Sequence, residues 1–268
     1  MSSWIVIAIL SVASYFFGNM NFALIISKLK NKDIRTMGSG NPGTLNMSRN
    51  FGLMTGLLTF FLDILKGALP TLLGWLLYKD IYVVDISGVS IQFSNLTMYL
   101  FGLCAVLGHI YPILLKFKGG KGIASTIGLF LVSELVAGWP WGLVIFMSLI
   151  AALIFIYLTE FGAMGSFIAI TPPAICSAIR LHLKYSLPQQ IIVYEIVIDM
   201  LILVICFITW FAHRKNIERM LAGDEHPTSI KEMLVKLKNK RKLKKAGIEI
   251  EPKEEIKLEG DKFDIKIK

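Results

Sequence analysis

Cysteine is scarce in this 268-residue chain: Cys104, Cys176 and Cys206 are its three, each alone in an apolar run. None forms a CxxC pair or stands at a Cys/His ligand spacing, which argues against a disulfide framework and against a zinc site. No metal and no other cofactor is expected. Charge is scarce as well, at 18% of residues, where soluble domains carry about 25%. The shortage is concentrated at one end. Residues 213–268 hold 16 of the 28 Lys/Arg and 11 of the 19 Asp/Glu, so the first 212 positions keep 12 and 8. The opening 27 residues lack both a basic leader and a small-residue cleavage site, which reads as a retained span rather than a signal peptide.

What is present is apolar residue, 54% of the chain, in runs long enough to cross a ~30 Å hydrocarbon core. The runs place spans at 4–27, 51–78, 95–115, 123–137, 141–158, 161–179 and 190–211. The expected fold is therefore an all-α integral membrane protein, a bundle of about seven transmembrane helices. The fourth span is short, and is expected to tilt or to lie partly within the bundle. With seven spans, 24 Lys/Arg fall on one side and three on the other, with Lys66 inside a span. The positive-inside rule then puts the N-terminus outside and the C-terminus in the cytoplasm of a cell membrane. The net charge of +9 is explained by membrane lipids and anionic substrates, with no nucleic acid as partner.

Two parts are expected, a polytopic domain over 1–227 and a basic cytoplasmic extension over 228–268. In the extension Ile230, Met233, Leu234 and Leu237 stand at helical spacing among lysines. That suits a helix on an anionic leaflet, and equally a solvated basic linker. Alternation on either side of Gly260-Asp261 suits a small hairpin.

Three polar clusters interrupt the apolar pattern, all on the predicted cytoplasmic side. The first is Gly38-Ser39-Gly40-Asn41-Pro42-Gly43-Thr44-Leu45-Asn46, with Arg49 beyond it. Closely spaced glycines let successive N–H groups converge on an anion, and arginine offers phosphate a two-pronged donor. A flexible loop is the plain alternative. The second is Gly108-His109-Ile110-Tyr111-Pro112 followed by Lys116-Phe117-Lys118-Gly119-Gly120-Lys121-Gly122. Leu115 and Gly122 stand where a Walker A loop needs Gly and Ser/Thr. What remains is a glycine turn with lysines opening a helix, an arrangement suited to an oxyanion. Lys116 and Lys118 serve equally as span-end anchors, whereas Lys121 lies between glycines. His109, inside a span, is either a hydrogen-bonded neutral ring or a catalytic group. The third is His213-Arg214-Lys215-Asn216-Ile217-Glu218-Arg219 with Gly223-Asp224-Glu225, where His213 and Asn216 share a helical face. An ordinary basic helix end is the alternative there. Asp63 and Lys66, three apart within a span, read as a self-neutralising pair. Glu134, Glu195 and Asp199 fall near span ends and read as interfacial.

In their order, Asp33-Ile34-Arg35 with GSGNPG at 38–43 and Arg49, Asp63-x-x-Lys66-Gly67, GHIYP at 108–112 with FKGGKG at 117–122, and HRKNIERMLAGDE at 213–225 resemble the bacterial acyl-phosphate:glycerol-3-phosphate acyltransferase family, the PlsY type. The likeness spans about residues 10–226. It implies a seven-helix membrane enzyme with an external N-terminus. Such an enzyme moves a fatty acyl group from acyl phosphate to the 1-hydroxyl of sn-glycerol 3-phosphate, giving lysophosphatidic acid and phosphate in phospholipid synthesis. An enzyme that supplies acyl phosphate would be a partner. The resemblance assigns Ser39 and Arg49 to the glycerol-phosphate and phosphoryl site, with Gly38, Gly40, Asn41, Asn46 and His109 around it. It gives Lys121 with Gly119, Gly120 and Gly122 to the acyl phosphate, and His213, Asn216 and Glu225 to completing the pocket. The chain departs from the family where Gly18 is followed by Asn19-Met20-Asn21 instead of Ser-Ile-Pro, and where Asp224 replaces a common Thr.

The chemistry asks little acid–base power, because acyl phosphate carries a good leaving group. The residues five after His109, His182, His213 and His226 are Leu114, Leu187, Glu218 and Lys231, so no His-x4-Asp dyad exists. His213 is expected to act as a hydrogen-bond donor rather than as a base, with the substrate's own phosphate taking the proton. Two other classes remain: a transporter of an organic phosphate, although no internal repeat is seen, and a scaffold acting through its tail.

Overall fold

The computed structural model describes residues 3–84, 90–185, 193–225, 227–245, 254–259 and 262–267. The chain begins with α1 (Ser3–Gly18) and α2 (Phe22–Leu29), then a short 3-10 turn at Ile34–Thr36, α3 (Thr44–Phe51) and α4 (Leu53–Tyr78). A hairpin of β1 (Tyr82–Val84) and β2 (Ser90–Gln92) leads to α5 (Ser94–Ile110). Then come α6 (Ile123–Ala137), α7 (Trp139–Thr159), α8 (Gly162–Tyr185), α9 (Val193–Phe211), α10 (Arg214–Leu221) and α11 (Ile230–Lys245). Strands β3 (Glu254–Glu259) and β4 (Lys262–Ile267) pair antiparallel, as the alternation predicts. Their expected turn at Gly260-Asp261 lies outside the described residues, as do positions 190–192 of the expected seventh span.

Six helical segments among the described residues are long and apolar enough to cross a membrane, and the shorter apolar helix α6 makes seven in the bundle. At 15 residues, α6 reaches only ~22 Å and is shorter than α4 and α8 beside it. Its first turn lines the cavity described below, while Glu134 near its far end meets Ser177 and Arg180 on α8. A short helix suits this place because it is central and enclosed by the longer ones. Ala124 through Phe130 are all buried, with Leu129 and Phe130 fully so. The closest approach is to α4, where a Cβ on Gly67 would lie 1.8 Å from the carbonyl oxygen of Ser125, and one on Gly128 would lie 2.0 Å from that of Ile64. Only glycine permits backbones so near, and helices in lipid associate through such contact.

The expected first span is broken. Asn19-Met20-Asn21 interrupts it, and the Asn21 side chain accepts a hydrogen bond from the Leu24 N–H at 2.8 Å to restart the helix as α2. Asparagine competes well for such orphan N–H groups, so the sequence at the break selects a cap. The apolar core joins α5 to α9 through Tyr99, Ile127, Phe130, Ile145, Ile170, Ile198 and Ile205. α7 turns Leu143, Phe146, Met147, Ile150 and Leu158 outward, the exposure expected of a lipid-facing helix. At the end away from the cavity, Phe93 meets Trp4 and Tyr78 edge to face at 5.5 and 5.6 Å.

At that end the segment between α4 and α5 carries the β1–β2 hairpin, with Tyr82 opposite Gln92, and one expectation fails. Glu134 is fully buried rather than interfacial, accepting from the Ser177 hydroxyl, with Arg180 Nε 3.7 Å away. A carboxylate in that setting needs an opposite charge, and its partner lies 46 residues along the chain, beyond any local spacing rule.

Candidate active site

The three polar clusters converge on one cavity of about 930 Å³ at the end of the bundle where α1, α5, α7 and α9 finish and α4, α6 and α8 begin. Every site residue expected from sequence lines it except Gly38, which sits behind the loop against Asn46.

The first loop is held from within. Asn46, 1% exposed, donates to the carbonyls of Ile34 and Met37 at 3.2 and 2.9 Å and accepts from the Ser39 N–H at 3.2 Å and from Asn50 at 3.0 Å. Its hydrogen-bonding capacity is spent on the scaffold, so it shapes the loop. Asn21 adds a 3.4 Å bond to the Pro42 carbonyl, tying the α1–α2 break to the loop. Ser39 is exposed, and Arg49 extends from the last turn of α3.

Beneath the glycine turn lies a buried polar column. Lys66 Nζ reaches the Met20 carbonyl at 2.7 Å, His109 Nδ1 at 2.7 Å and Asp63 Oδ1 at 2.8 Å. The Met20 carbonyl and His109 take hydrogen bonds from the ammonium, and the Asp63 carboxylate lies beside it as the counter-charge. Because the ammonium donates to Nδ1, the neutral His109 ring carries its proton on Nε2. The main chain of His109 accepts the Gly120 N–H at 3.1 Å. A Cβ on Gly120 would lie 2.2 Å from His109 Nε2, and one on Gly119 would lie 2.0 Å from the His109 carbonyl. The GGKG turn thus lies flat on His109, which supports the turn. Asp63 and Lys66 pair as their spacing suggests, but the pair also holds His109, 43 residues away, which the sequence does not signal.

From Gly122 the chain enters α6, whose first-turn N–H groups have no carbonyl ahead of them in the helix. They and the helix dipole favour an anion beside Lys121. Lys121 donates to Asn216 Oδ1. Asn216 passes its own N–H to Glu225 at 2.6 Å, and Glu225 takes Arg219 Nε at 3.0 Å with its other oxygen. Glu225 is acceptor-only and already occupied by two donors, so it orients Asn216 and Arg219. Arg219 is the residue that the sequence reading left unassigned; its i, i+3 spacing from Asn216 on α10 was the available signal. Burial lowers the Lys121 ammonium to about 8, Glu225 opposing and the Arg219 and Arg49 charges adding to the fall.

His213, 3% exposed, gives its Nδ1 hydrogen to the Thr209 carbonyl at 2.9 Å, while Phe167 stands edge-on at 5.4 Å. Burial, then the charge of Lys121, lowers its imidazolium to about 4. The ring is neutral at pH 7, and its remaining nitrogen can only accept. The expected donor role for His213 is therefore corrected, because the backbone carbonyl of the preceding turn selects the other tautomer.

Below the polar mouth the cavity is apolar, lined by Leu53, Leu57 and Phe60 of α4, Ile127 of α6, and Leu149, Leu153 and Ile156 of α7. One cavity therefore offers cations and N–H groups at its mouth and a hydrocarbon-lined limb beneath them.

Three kinds of likeness accompany this geometry. The family model described as glycerol-3-phosphate acyltransferase matches residues 8–223. The glycerol-3-phosphate acyltransferases of Mycoplasmopsis pulmonis and Aquifex aeolicus are 34% and 35% identical over 218 residues each. Those matches cover 80% and 81% of this chain and 89% and 96% of the relatives. The fold is similar to crystal structures of PlsY (YgiH), an integral membrane glycerol 3-phosphate acyltransferase, in its glycerol 3-phosphate and lysophosphatidic acid forms. The TM-scores are 0.65 and 0.64 at 30% identity, covering 85% and 86% of this chain and 98% and 99% of those chains.

Proposed function

The chain belongs to the glycerol-3-phosphate acyltransferase family, and from that premise we propose that it acylates glycerol 3-phosphate with acyl phosphate as the donor. The product is lysophosphatidic acid, the second ligand state of the similar crystal structures. One observation carries the reading: the anion-binding mouth and the apolar limb belong to a single cavity. That shape suits an amphiphile with a phosphorylated head beside a small anionic acceptor.

In the reaction the glycerol hydroxyl oxygen attacks the acyl carbonyl carbon. The bond from that carbon to the phosphate oxygen breaks, and phosphate leaves with the hydroxyl proton. Lys121, the first turn of α6 and the GGKG turn would hold the donor phosphate and the charge developing on the carbonyl oxygen. Ser39, Arg49 and the loop braced by Asn46 would hold glycerol 3-phosphate. His213 would accept the hydrogen bond of the attacking hydroxyl and orient it. With its conjugate acid near 4 it is too weak a base to keep the proton, so the departing phosphate is the final acceptor. Excluding water and fixing two anionic substrates side by side is the main catalytic work.

A transporter is disfavoured by the packing beneath the cavity, where Leu129, Phe130, Ile145 and Tyr99 are all fully buried. The positive-inside count supports a plasma-membrane protein with this mouth in the cytoplasm, where the enzyme that makes acyl phosphate would be its supplier. The test is acyl transfer to labelled glycerol 3-phosphate from acyl phosphate and acyl-CoA in parallel. Transfer from acyl phosphate is expected, and transfer from acyl-CoA alone would overturn the donor assignment.

A further inference from the structure

Residues after Pro227 lie beyond the region matched by the family, which ends at 223, yet they return to the cavity. Thr228, 3% exposed, receives a hydrogen bond from Arg49 at 3.2 Å, and Arg49 also reaches the Pro227 carbonyl at 2.9 Å. The Thr228 N–H donates to the Glu160 carbonyl at 2.8 Å, which pins the segment to the turn between α7 and α8. Space for it exists because residue 162 is glycine: a Cβ there would lie 2.7 Å from the Thr228 hydroxyl. From this anchor α11 crosses the mouth and touches both α4 and α7, with Lys231 Nζ 4.8 Å from the centre of the Tyr157 ring.

Beneath α11 the apolar limb has an open side. Leu57 of α4 and Leu153 of α7 both line the cavity, and both are exposed, at 46% and 59%. Both belong to spans, where an exposed side chain faces lipid. That exposure at the cavity wall suits a lateral opening of the limb between α4 and α7. Ile230 and Met233, one turn apart on α11, line the same cavity.

We propose that α11 is the lintel of a lateral entrance for the acyl chain, and that Ile230 and Met233 contact that chain and select donors by length. A short donor would hold its phosphate at the mouth without passing under the lintel, whereas a long chain must pass beneath it. Selection would come from apolar contact and shape, each methylene being discriminated by roughly 10- to 200-fold in a well-fitted wall. The proposal rests on the acyltransferase reading, and it names a specificity element in the segment outside the family match.

The test uses the full-length protein in vesicles of fixed composition, with butyryl phosphate and palmitoyl phosphate as donors. Met233→Trp should lower kcat/KM for the palmitoyl donor about tenfold or more. The butyryl donor and the KM for glycerol 3-phosphate should stay within about twofold. The double variant Ile230→Ala with Met233→Ala, which removes volume without crowding, should change the palmitoyl-to-butyryl ratio about three- to tenfold. A ratio unchanged in both variants would overturn the proposal. Calorimetric binding of butyl and hexadecyl phosphonates separates it from the reaction itself. If the wild type transferred no acyl group yet the variants altered the preference between the two phosphonates, the reaction assignment would fail and the lintel would stand. Variants that bind both phosphonates as the wild type does would remove the lintel, whatever the turnover.

Discussion

His213 Nδ1 and the Thr209 carbonyl oxygen are 2.9 Å apart, and this one bond decides what the site histidine can do. A carbonyl only accepts, so the proton is on Nδ1 and the neutral ring offers the cavity a lone pair. Such a ring positions a hydroxyl group but cannot donate to a phosphate.

Replacing His213 by Gln is expected to leave partial activity, since the amide oxygen can also accept. The pH dependence follows from the sign of the shift. With an imidazolium near 4, the neutral form persists as pH falls through 6, and kcat/KM should decline only near and below about 5. An acid limb near 6.5 in the wild type that vanishes in His213→Gln would show that the histidine titrates in its ordinary range and acts as a base.

Lys121 gives the opposite limb. Its ammonium is lowered to about 8, so charge is lost as pH rises through that value. In the free enzyme kcat/KM for the donor should fall above it. Lys121→Arg, which keeps its charge, should abolish that limb even if overall activity drops. A basic limb identical in both proteins would assign it elsewhere.

Lys121→Ala should cost about ten- to a hundredfold or more in kcat/KM, as a charged hydrogen bond is worth roughly 1.5–3 kcal/mol. Lys116→Ala should stay within about threefold, because Lys116 is exposed and lies outside the cavity lining. Equal losses at the two positions would mean that general basicity matters and the turn is not a specific site.

Lys66→Met should destabilise the fold by about 3–5 kcal/mol, the usual consequence of stripping one partner from a buried pair. His109 and the Met20 carbonyl would lose their donor and Asp63 its counter-charge. Thermal unfolding in detergent, followed by thiol labelling of buried Cys206, would report it as a lowered Tm. An unchanged Tm would mean that the column does not carry the turn.

Cysteines placed at Ser39, Lys118 and Ser229 in a cysteine-free background should react together with an impermeant thiol reagent, and only from the cytoplasmic side. Ser39 and Lys118 line the cavity, and Ser229 follows a third lining residue, Thr228. Labelling from outside intact cells would invert the orientation drawn from the charge count.

The sequence by itself determined the solvent this protein lives in, the approximate number of membrane helices and the identity of the three polar clusters. Those properties are local: a span needs only a long enough apolar run, and a glycine turn ahead of a helix needs only neighbours. For α11 the spacing of Ile230, Met233 and Leu237 left a helix and a basic linker equally open, and the fold decided for the helix. Tertiary structure alone decided the rest, because it depends on groups far apart in the chain. Lys66 supports His109 across 43 positions, and Glu134 finds Arg180 across 46. The tautomer of His213 required a distance and its titration required burial, and hydropathy encodes neither. That α11 turns Ile230 and Met233 into the cavity instead of into lipid was likewise hidden. Apolar spacing names the face a helix buries, and only the folded chain supplies the surface it is buried against.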